Sequence, residues 1–128
     1  MTRGPLAAVW LAAMSATLLP LAQTARADLL NVITVEGVIT PGVAAYVEKS
    51  IDQSELEEAV ALVIELDTPG GLLDSTKDIV SSILNSEIPV IVYVSPRGAW
   101  AASAGTFITL AAHVAAMSPG TSIGAAHP

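Results

Sequence analysis

The sequence contains no cysteine, few charged side chains and very few aromatic ones. Without cysteine there can be no disulfide, no thiolate zinc site and no thiol nucleophile, and only two histidines remain for imidazole chemistry. Lys and Arg number 5 against 12 Asp and Glu, and 4% of residues are aromatic. Because nucleic-acid binding needs cations and stacking side chains, we expect no nucleic-acid partner.

Hydrophobic residues, by contrast, are abundant. They make up 52% of the 128 residues, and the mean hydropathy is +0.63. A disordered chain is far more polar than this, so the sequence predicts a folded protein. Its length allows one domain at most.

The first 27 residues form a segment of different composition, with no acidic residue. Arg3 precedes an apolar run over residues 6–21, and the small residues Ala25 and Ala27 close the segment. This order is typical of a secretory signal peptide cleaved after Ala27. The sequence therefore predicts a signal peptide over residues 1–27.

An uncleaved membrane anchor is the alternative for this segment. The apolar run is shorter than the roughly 20 residues that a membrane-spanning helix needs, and Pro20 interrupts its end. We therefore expect an exported domain over residues 28–128, located outside the cytoplasm.

The rest of the chain alternates between short apolar runs and amphipathic segments. The pattern predicts strands at residues 29–39, 60–67, 89–94 and 113–117, and helices at 41–59, 72–85 and 103–110. Such alternation is typical of an α/β fold built from parallel βαβ units. The second strand is apolar on both faces, which predicts a sheet covered on both sides.

Two unusual loops follow predicted strands and should meet at the carboxyl edge of the sheet. One contains the pair Gly70 and Gly71, whose backbone N–H groups are unshielded by side chains. The other, in the sequence RGAWAASAGT, places Ser103 at the start of a helix. Together they offer a nucleophile and oxyanion donors, as acyl transfer requires. Taken singly, a serine at a helix start, such as Ser103, is more often a helix cap than a nucleophile, and Pro-Gly-Gly after a strand is usually a plain turn.

Four ordered motifs resemble a known family. They are IELDTPGG, IPVIVYV, AASAGTFI and AAHVAAMSPGTSIGAAHP. Over residues 30–128 the chain is similar to the extracytoplasmic protease domain of the long-form NfeD membrane serine proteases, which are relatives of ClpP. The resemblance implies a ClpP/crotonase-like α/β fold with repeated βαβ units and a mainly parallel sheet, incomplete at the C-terminus.

The resemblance also implies roles for particular residues. Ser103 matches the nucleophile, and the backbone N–H groups of Gly71 and Ala104 match the oxyanion hole. Gly70 matches the residue that shapes the loop. The general base of the family is a lysine downstream of the last motif, beyond Pro128, so we expect this chain alone to be inactive. The family uses no metal and no cofactor.

Other candidates for the general base are weaker. His127 roughly matches the catalytic histidine of ClpP, although a structural or solvent-facing role is the simpler interpretation. His113 would lie about 15 Å from Ser103 along a connecting helix, out of reach. Lys49 and Lys77 fall in acid-containing helical segments and are expected to be solvated.

The resemblance implies a serine endopeptidase that cleaves hydrophobic segments of membrane-associated proteins, with a stomatin-like protein as the expected partner. The family is membrane-associated, and we expect a homodimer or a higher oligomer. The first alternative is a non-catalytic module of the same fold that binds peptides. The second is a crotonase-type acyl-CoA enzyme, disfavoured by the signal peptide and by the few cations available for CoA phosphates.

Overall fold

A computed structural model describes residues 27–126 of the chain. The elements in chain order are β1 (Leu30–Glu36), α1 (Pro41–Leu56), β2 (Ala61–Asp67), α2 (Leu73–Asn85), β3 (Val90–Val94), β4 (Trp100–Ala102), α3 (Ala104–Ala111), β5 (Val114–Met117) and β6 (Ser122–Gly124). The predicted signal peptide lies outside the described residues except for Ala27, so its prediction stays open.

The main sheet has four parallel strands in the order β1-β2-β3-β5. Its strands are rich in Val and Ile, whose branched side chains suit a pleated surface. Each crossover from one strand to the next contains a helix, so the sheet is built from successive βαβ units. The predicted α/β fold with a mainly parallel sheet is confirmed.

The core lies between one face of this sheet and the helices. Leu62, Ile64 and Leu66 alternate along β2 and are fully buried, as are the alternate valines of β3. Residues of all three helices, including Ile79 and Ile108, join the same buried cluster. Burying one such side chain contributes about 1.5–3 kcal/mol, so this layer is the main source of stability.

The opposite face of the sheet is only partly covered. Val63 and Ile91, which are paired across β2 and β3, are half-buried, and Val114 on the outer strand β5 is exposed. Within residues 27–126 the predicted cover on both faces is therefore not found. The reason is topological, because strands added in sequence order by right-handed crossovers place every helix on the same face.

Helix α1 begins and ends with side-chain hydrogen bonds. The Thr40 hydroxyl accepts from the N–H of Val43, and Pro41 occupies the first turn, where its missing N–H costs nothing. Near the other end, the amides of Asn31 and Gln53 donate to the Glu57 carboxylate. These two bonds, that of Asn31 first, hold the pKa of Glu57 below its usual value.

A second, two-stranded sheet was not predicted. β4 and β6 pair in parallel, with Trp100 opposite Ser122 and Ala102 opposite Gly124. The sequence pattern predicts no strand over either segment, so both β4 and β6 were missed. None of the helices within residues 27–126 is long and apolar enough to span a membrane.

Candidate active site

Ser103 lies at the junction between β4 and α3 in an unusual backbone conformation. Its φ is 52° and its ψ is −110°, a region that L residues rarely adopt and that costs about 1–3 kcal/mol. The Ser103 N–H donates to the carbonyl oxygen of Gly124 at 2.8 Å. The Thr106 hydroxyl contacts the same oxygen at 2.8 Å and the Ala101 carbonyl at 3.0 Å. These contacts from α3, β4 and β6 hold the strained junction in place.

The hydroxyl of Ser103 does not cap the helix. Ser103 occupies the N-cap position of α3, but its side chain makes no cap hydrogen bond. The hydroxyl also has no hydrogen-bond partner among residues 27–126, and the residue is only half-buried. The interpretation of Ser103 as a plain helix cap is therefore wrong. Enzymes of the α/β-hydrolase fold expose their nucleophilic serine on a strained strand-to-helix turn.

The structure brings the glycine loop against Ser103, as the sheet-edge argument predicted. Gly70 has a φ of 124°, which strongly favours glycine. A Cβ atom on Gly70 would lie 2.9 Å from the Ser103 Cβ and 3.3 Å from its Oγ. Gly70 is thus required both for its own backbone conformation and for the space occupied by Ser103.

Gly71, the second glycine of the loop, is held by a parallel β-bridge to Ile39. The Ile39 N–H donates to the Gly70 carbonyl and the Leu72 N–H donates to the Ile39 carbonyl, both at 2.9 Å. In such a bridge the N–H of Gly71 itself points away from Ile39. A Cβ on Gly71 would collide with the backbone of Ile39, so only glycine fits.

Two backbone N–H groups, those of Gly71 and Ala104, directly follow Gly70 and Ser103 in the sequence. Neither the N–H of Gly71 nor that of Ala104, the first residue of α3, donates to an acceptor among residues 27–126. The Ala104 group also lies at the positive end of the helix dipole. Neither group would have to break a hydrogen bond within residues 27–126 before donating to a ligand.

Thr68 connects the two loops, and sequence reasoning missed it. The residue is fully buried at the end of β2, where its N–H donates to the Trp100 carbonyl at 2.6 Å and its carbonyl accepts from Ala102 at 3.1 Å. The Asp67 carboxylate accepts from the Trp100 N–H at 2.9 Å. β4 is therefore attached to the main sheet through Asp67 and Thr68. The only signal in the sequence is a polar pair ending an apolar strand.

The remaining candidates lie away from Ser103 or outside the described residues. The ring Nδ1 of His113 accepts from the Val90 N–H at 3.0 Å, and the backbone N–H of His113 donates to the Val90 carbonyl at 3.0 Å, which is a structural role. Lys77 is exposed and lies 3.9 Å from Asp74. Lys49 is also exposed.

His127 lies outside the described residues, so its place relative to Ser103 stays a prediction. Within residues 27–126 no group of three or more His, Asp or Glu side chains could hold a metal ion.

Solved structures share this fold. A 1510-N membrane protease specific for a stomatin homolog, from Pyrococcus horikoshii, superposes with a TM-score of 0.74 at 48% identity over 78% of this chain and 50% of that chain. A lysine-to-alanine mutant of 1510-N in complex with a substrate peptide gives 0.77 at the same identity, over 79% of this chain and 46% of that one. ClpP1 from Listeria monocytogenes gives 0.58 at 27% identity, over 63% and 46% of the two chains. The ClpP-like fold is thereby confirmed.

Curated relatives are much longer than the matching segment. Membrane-bound protease PH1510 of Pyrococcus horikoshii is 48% identical over 101 residues, or 79% of this chain and 23% of the relative. Membrane protein NfeD1b of Bacillus subtilis is 37% identical over 102 residues, again 23% of the relative. The family model for the NfeD1b N-terminal domain matches residues 29–128. This chain therefore belongs to the NfeD1b N-terminal domain family.

Proposed function

We propose that this chain supplies the nucleophile and the oxyanion donors of a serine endopeptidase that cleaves apolar segments of membrane-associated proteins. The observation that carries the proposal is the strained conformation of Ser103, with its hydroxyl free of partners among residues 27–126 and set against Gly70. The relatives support the reaction class, since PH1510 is named a protease and 1510-N has been solved with a substrate peptide.

In the proposed reaction the Ser103 oxygen attacks a peptide carbonyl carbon while its proton passes to a general base. The carbonyl oxygen gains the negative charge and accepts hydrogen bonds from the N–H groups of Gly71 and Ala104. The peptide C–N bond then breaks, the amine leaves with a proton, and an acyl group remains on Ser103. Water hydrolyses this ester by the same route and frees the hydroxyl.

The proposed base is a lysine downstream of residue 128, because a serine hydroxyl is a weak nucleophile without a base. Two related structures support this pairing, since one is a serine-to-alanine mutant and the other a lysine-to-alanine mutant of 1510-N. His127 is the alternative, and the comparison of His127→Ala with wild type distinguishes them if the 128-residue chain proves active.

The decisive experiment is Ser103→Ala in the full-length protein, assayed on an apolar peptide. Turnover should fall by about 10⁴-fold or more while peptide binding stays nearly unchanged, because the hydroxyl acts in the covalent step. A fluorophosphonate probe should label wild type and fail to label the variant. The exposed helix serine in Ser81→Ala is the matched control and should leave both readouts intact.

A full-length wild type that binds the peptide without cutting it, and that the probe does not label, would refute the proposal and favour a peptide-binding module. In the 128-residue chain the same Ser103→Ala change should alter almost nothing, since the expected lysine is missing from it.

The proposed partner is a stomatin-like membrane protein, and the proposed location is outside the cytoplasm at a membrane. The 1510-N protease is named as stomatin-specific, and both curated relatives are named as membrane-bound or membrane proteins. Export through a signal peptide predicts a mature chain that begins at Asp28. N-terminal sequencing of the protein recovered from its membrane fraction tests this, and a chain still beginning at Met1 would favour an uncleaved anchor.

A further inference from the structure

We propose that Thr68 is a positioning residue, whose hydroxyl group fixes the glycine loop against Ser103 while its methyl group packs on α3. The inference rests on the proposed function of Ser103 and adds the element that sets its geometry. Thr68 makes no hydrogen bond to the hydroxyl of Ser103, and we assign it no part in the chemistry. Its role is to hold Gly70 on one side and α3 on the other.

The hydroxyl group of Thr68 binds both backbone polar groups of Gly70. Thr68 Oγ1 accepts from the Gly70 N–H at 3.1 Å and lies 3.2 Å from the Gly70 carbonyl oxygen, to which it donates. It provides the only side-chain hydrogen bonds to Gly70 or Gly71 from residues 27–126. Gly70 in turn lies against Ser103, since a Cβ atom on Gly70 would lie 2.9 Å from the Ser103 Cβ. The hydroxyl therefore acts where the loop meets the proposed nucleophile.

The methyl group of Thr68 reaches the other half of the site. A Cβ on Gly105, in the first turn of α3, would lie 2.7 Å from Thr68 Cγ2. The methyl thus occupies the space that Gly105 leaves open, two residues after Ser103. Threonine supplies both groups at once, whereas serine lacks the methyl and valine lacks the hydroxyl.

Placement of the loop matters because oxyanion donors act only at short range. The proposed donor Gly71 N–H follows directly after Gly70, so a shift of Gly70 moves that donor. Losing one oxyanion donor typically costs 10²–10³-fold in kcat, and a misplacement of about 1 Å costs about 10²-fold. Such a loss falls on the transition state and leaves substrate binding intact.

The test compares Thr68→Val with Thr68→Ser in the full-length protein. Thr68→Val keeps the shape and the methyl group but removes the hydrogen bonds to Gly70. Its kcat should fall about 10–100-fold, and its KM should stay within about threefold of the wild-type value. Thr68→Ser keeps the hydroxyl, and its kcat should stay within about threefold of wild type. Both variants should melt at a lower temperature than wild type. Thr68→Val leaves the Gly70 N–H unpaired, and Thr68→Ser leaves a methyl-sized gap.

If Thr68 were only structural, kcat would fall in both variants along with the melting temperature. A loss of kcat in Thr68→Val but not in Thr68→Ser is therefore the informative result. Thr68→Val with the kcat of wild type, or Thr68→Ser losing as much kcat as Thr68→Val, would overturn the inference. If Ser103→Ala keeps full activity, the proposed function fails instead. A crystal structure of Thr68→Val then decides the positioning role by itself, because Gly71 should move away from Ser103 and an unmoved loop would refute it.

Discussion

Ser103 adopts a backbone conformation that glycine would accept at little cost, yet only a side chain at this position could act as a nucleophile. The surrounding contacts offset a strain of about 1–3 kcal/mol, chiefly through the Ser103 N–H bond to Gly124 and the Thr106 hydroxyl that supports it. The strain keeps the hydroxyl away from the helix end that it would otherwise cap. A residue placed here only to begin α3 would have no reason to remain strained.

The glycine pair gives a sharp prediction for Gly71→Ala. The added methyl would collide with the Ile39 backbone, so the loop must shift or the bridge must break. We expect the free energy of unfolding to fall by about 1–3 kcal/mol and kcat by about 10²-fold, because the change displaces the proposed oxyanion donor. Thermal melting and peptide turnover measure the two effects.

Gly42→Ala is the matched control for this change. Gly42 lies in the first turn of α1, where the nearest atom to a new Cβ is the Thr40 hydroxyl at 3.7 Å. Replacing glycine within a helix stabilises by about 0.5–1 kcal/mol, so this variant should melt slightly above wild type with unchanged activity. Equal activity of the two variants would mean that the Gly71 N–H is not an oxyanion donor.

At the scale of elements, the long strands and helices of the main layer could be predicted because their signals are local. The apolar run of β2 and the amphipathic pattern of α2 appear in the sequence within one or two residues of their bounds in the structure. The same alternation predicted parallel strands. Because the loops that follow parallel strands meet at one edge of the sheet, it also predicted that Gly70 and Ser103 lie close together. Their contact is confirmed, whereas their chemical roles stay proposals.

The two short strands could not be predicted, because long-range hydrogen bonds rather than local patterns stabilise them. β4 and β6 have three residues each and are built partly from Ala, Ser and Gly, which carry little strand preference. β4 exists because Asp67 and Thr68 bind Trp100 and Ala102 from across the chain. Thr68 was overlooked for the same reason, since its role depends on residues more than thirty positions later.

Across the whole molecule, an apolar groove between α2 and α3 stays open to solvent. It is lined by Leu73, Val80, Leu84, Phe107 and Leu110, and the Leu110 side chain is 74% exposed. Large exposed apolar patches favour association. The chain carries a net charge of −7, but this groove contains a single cation, Lys77, and no acid. Repulsion between copies is therefore weak at this surface.

We accordingly predict that the isolated chain forms dimers or larger assemblies. Leu110→Gln should raise the monomer fraction several-fold in light scattering after size exclusion, because it places a polar group in the groove. Leu56→Gln is the matched control, since Leu56 is 81% exposed at the end of α1, outside the groove. A wild type that is monomeric at every concentration, or an equal effect of both changes, would contradict the prediction.

The hydrogen bond from Ser103 to Gly124 also gives the site an order of assembly in time. A ribosome releases Ser103 before it releases β6, so the strained turn has no acceptor for its N–H when it first emerges. The turn therefore lacks this stabilising hydrogen bond until synthesis has passed Gly124. The turn at Ser103 and the last strand of the small sheet are therefore completed in one step, after both segments have been synthesised.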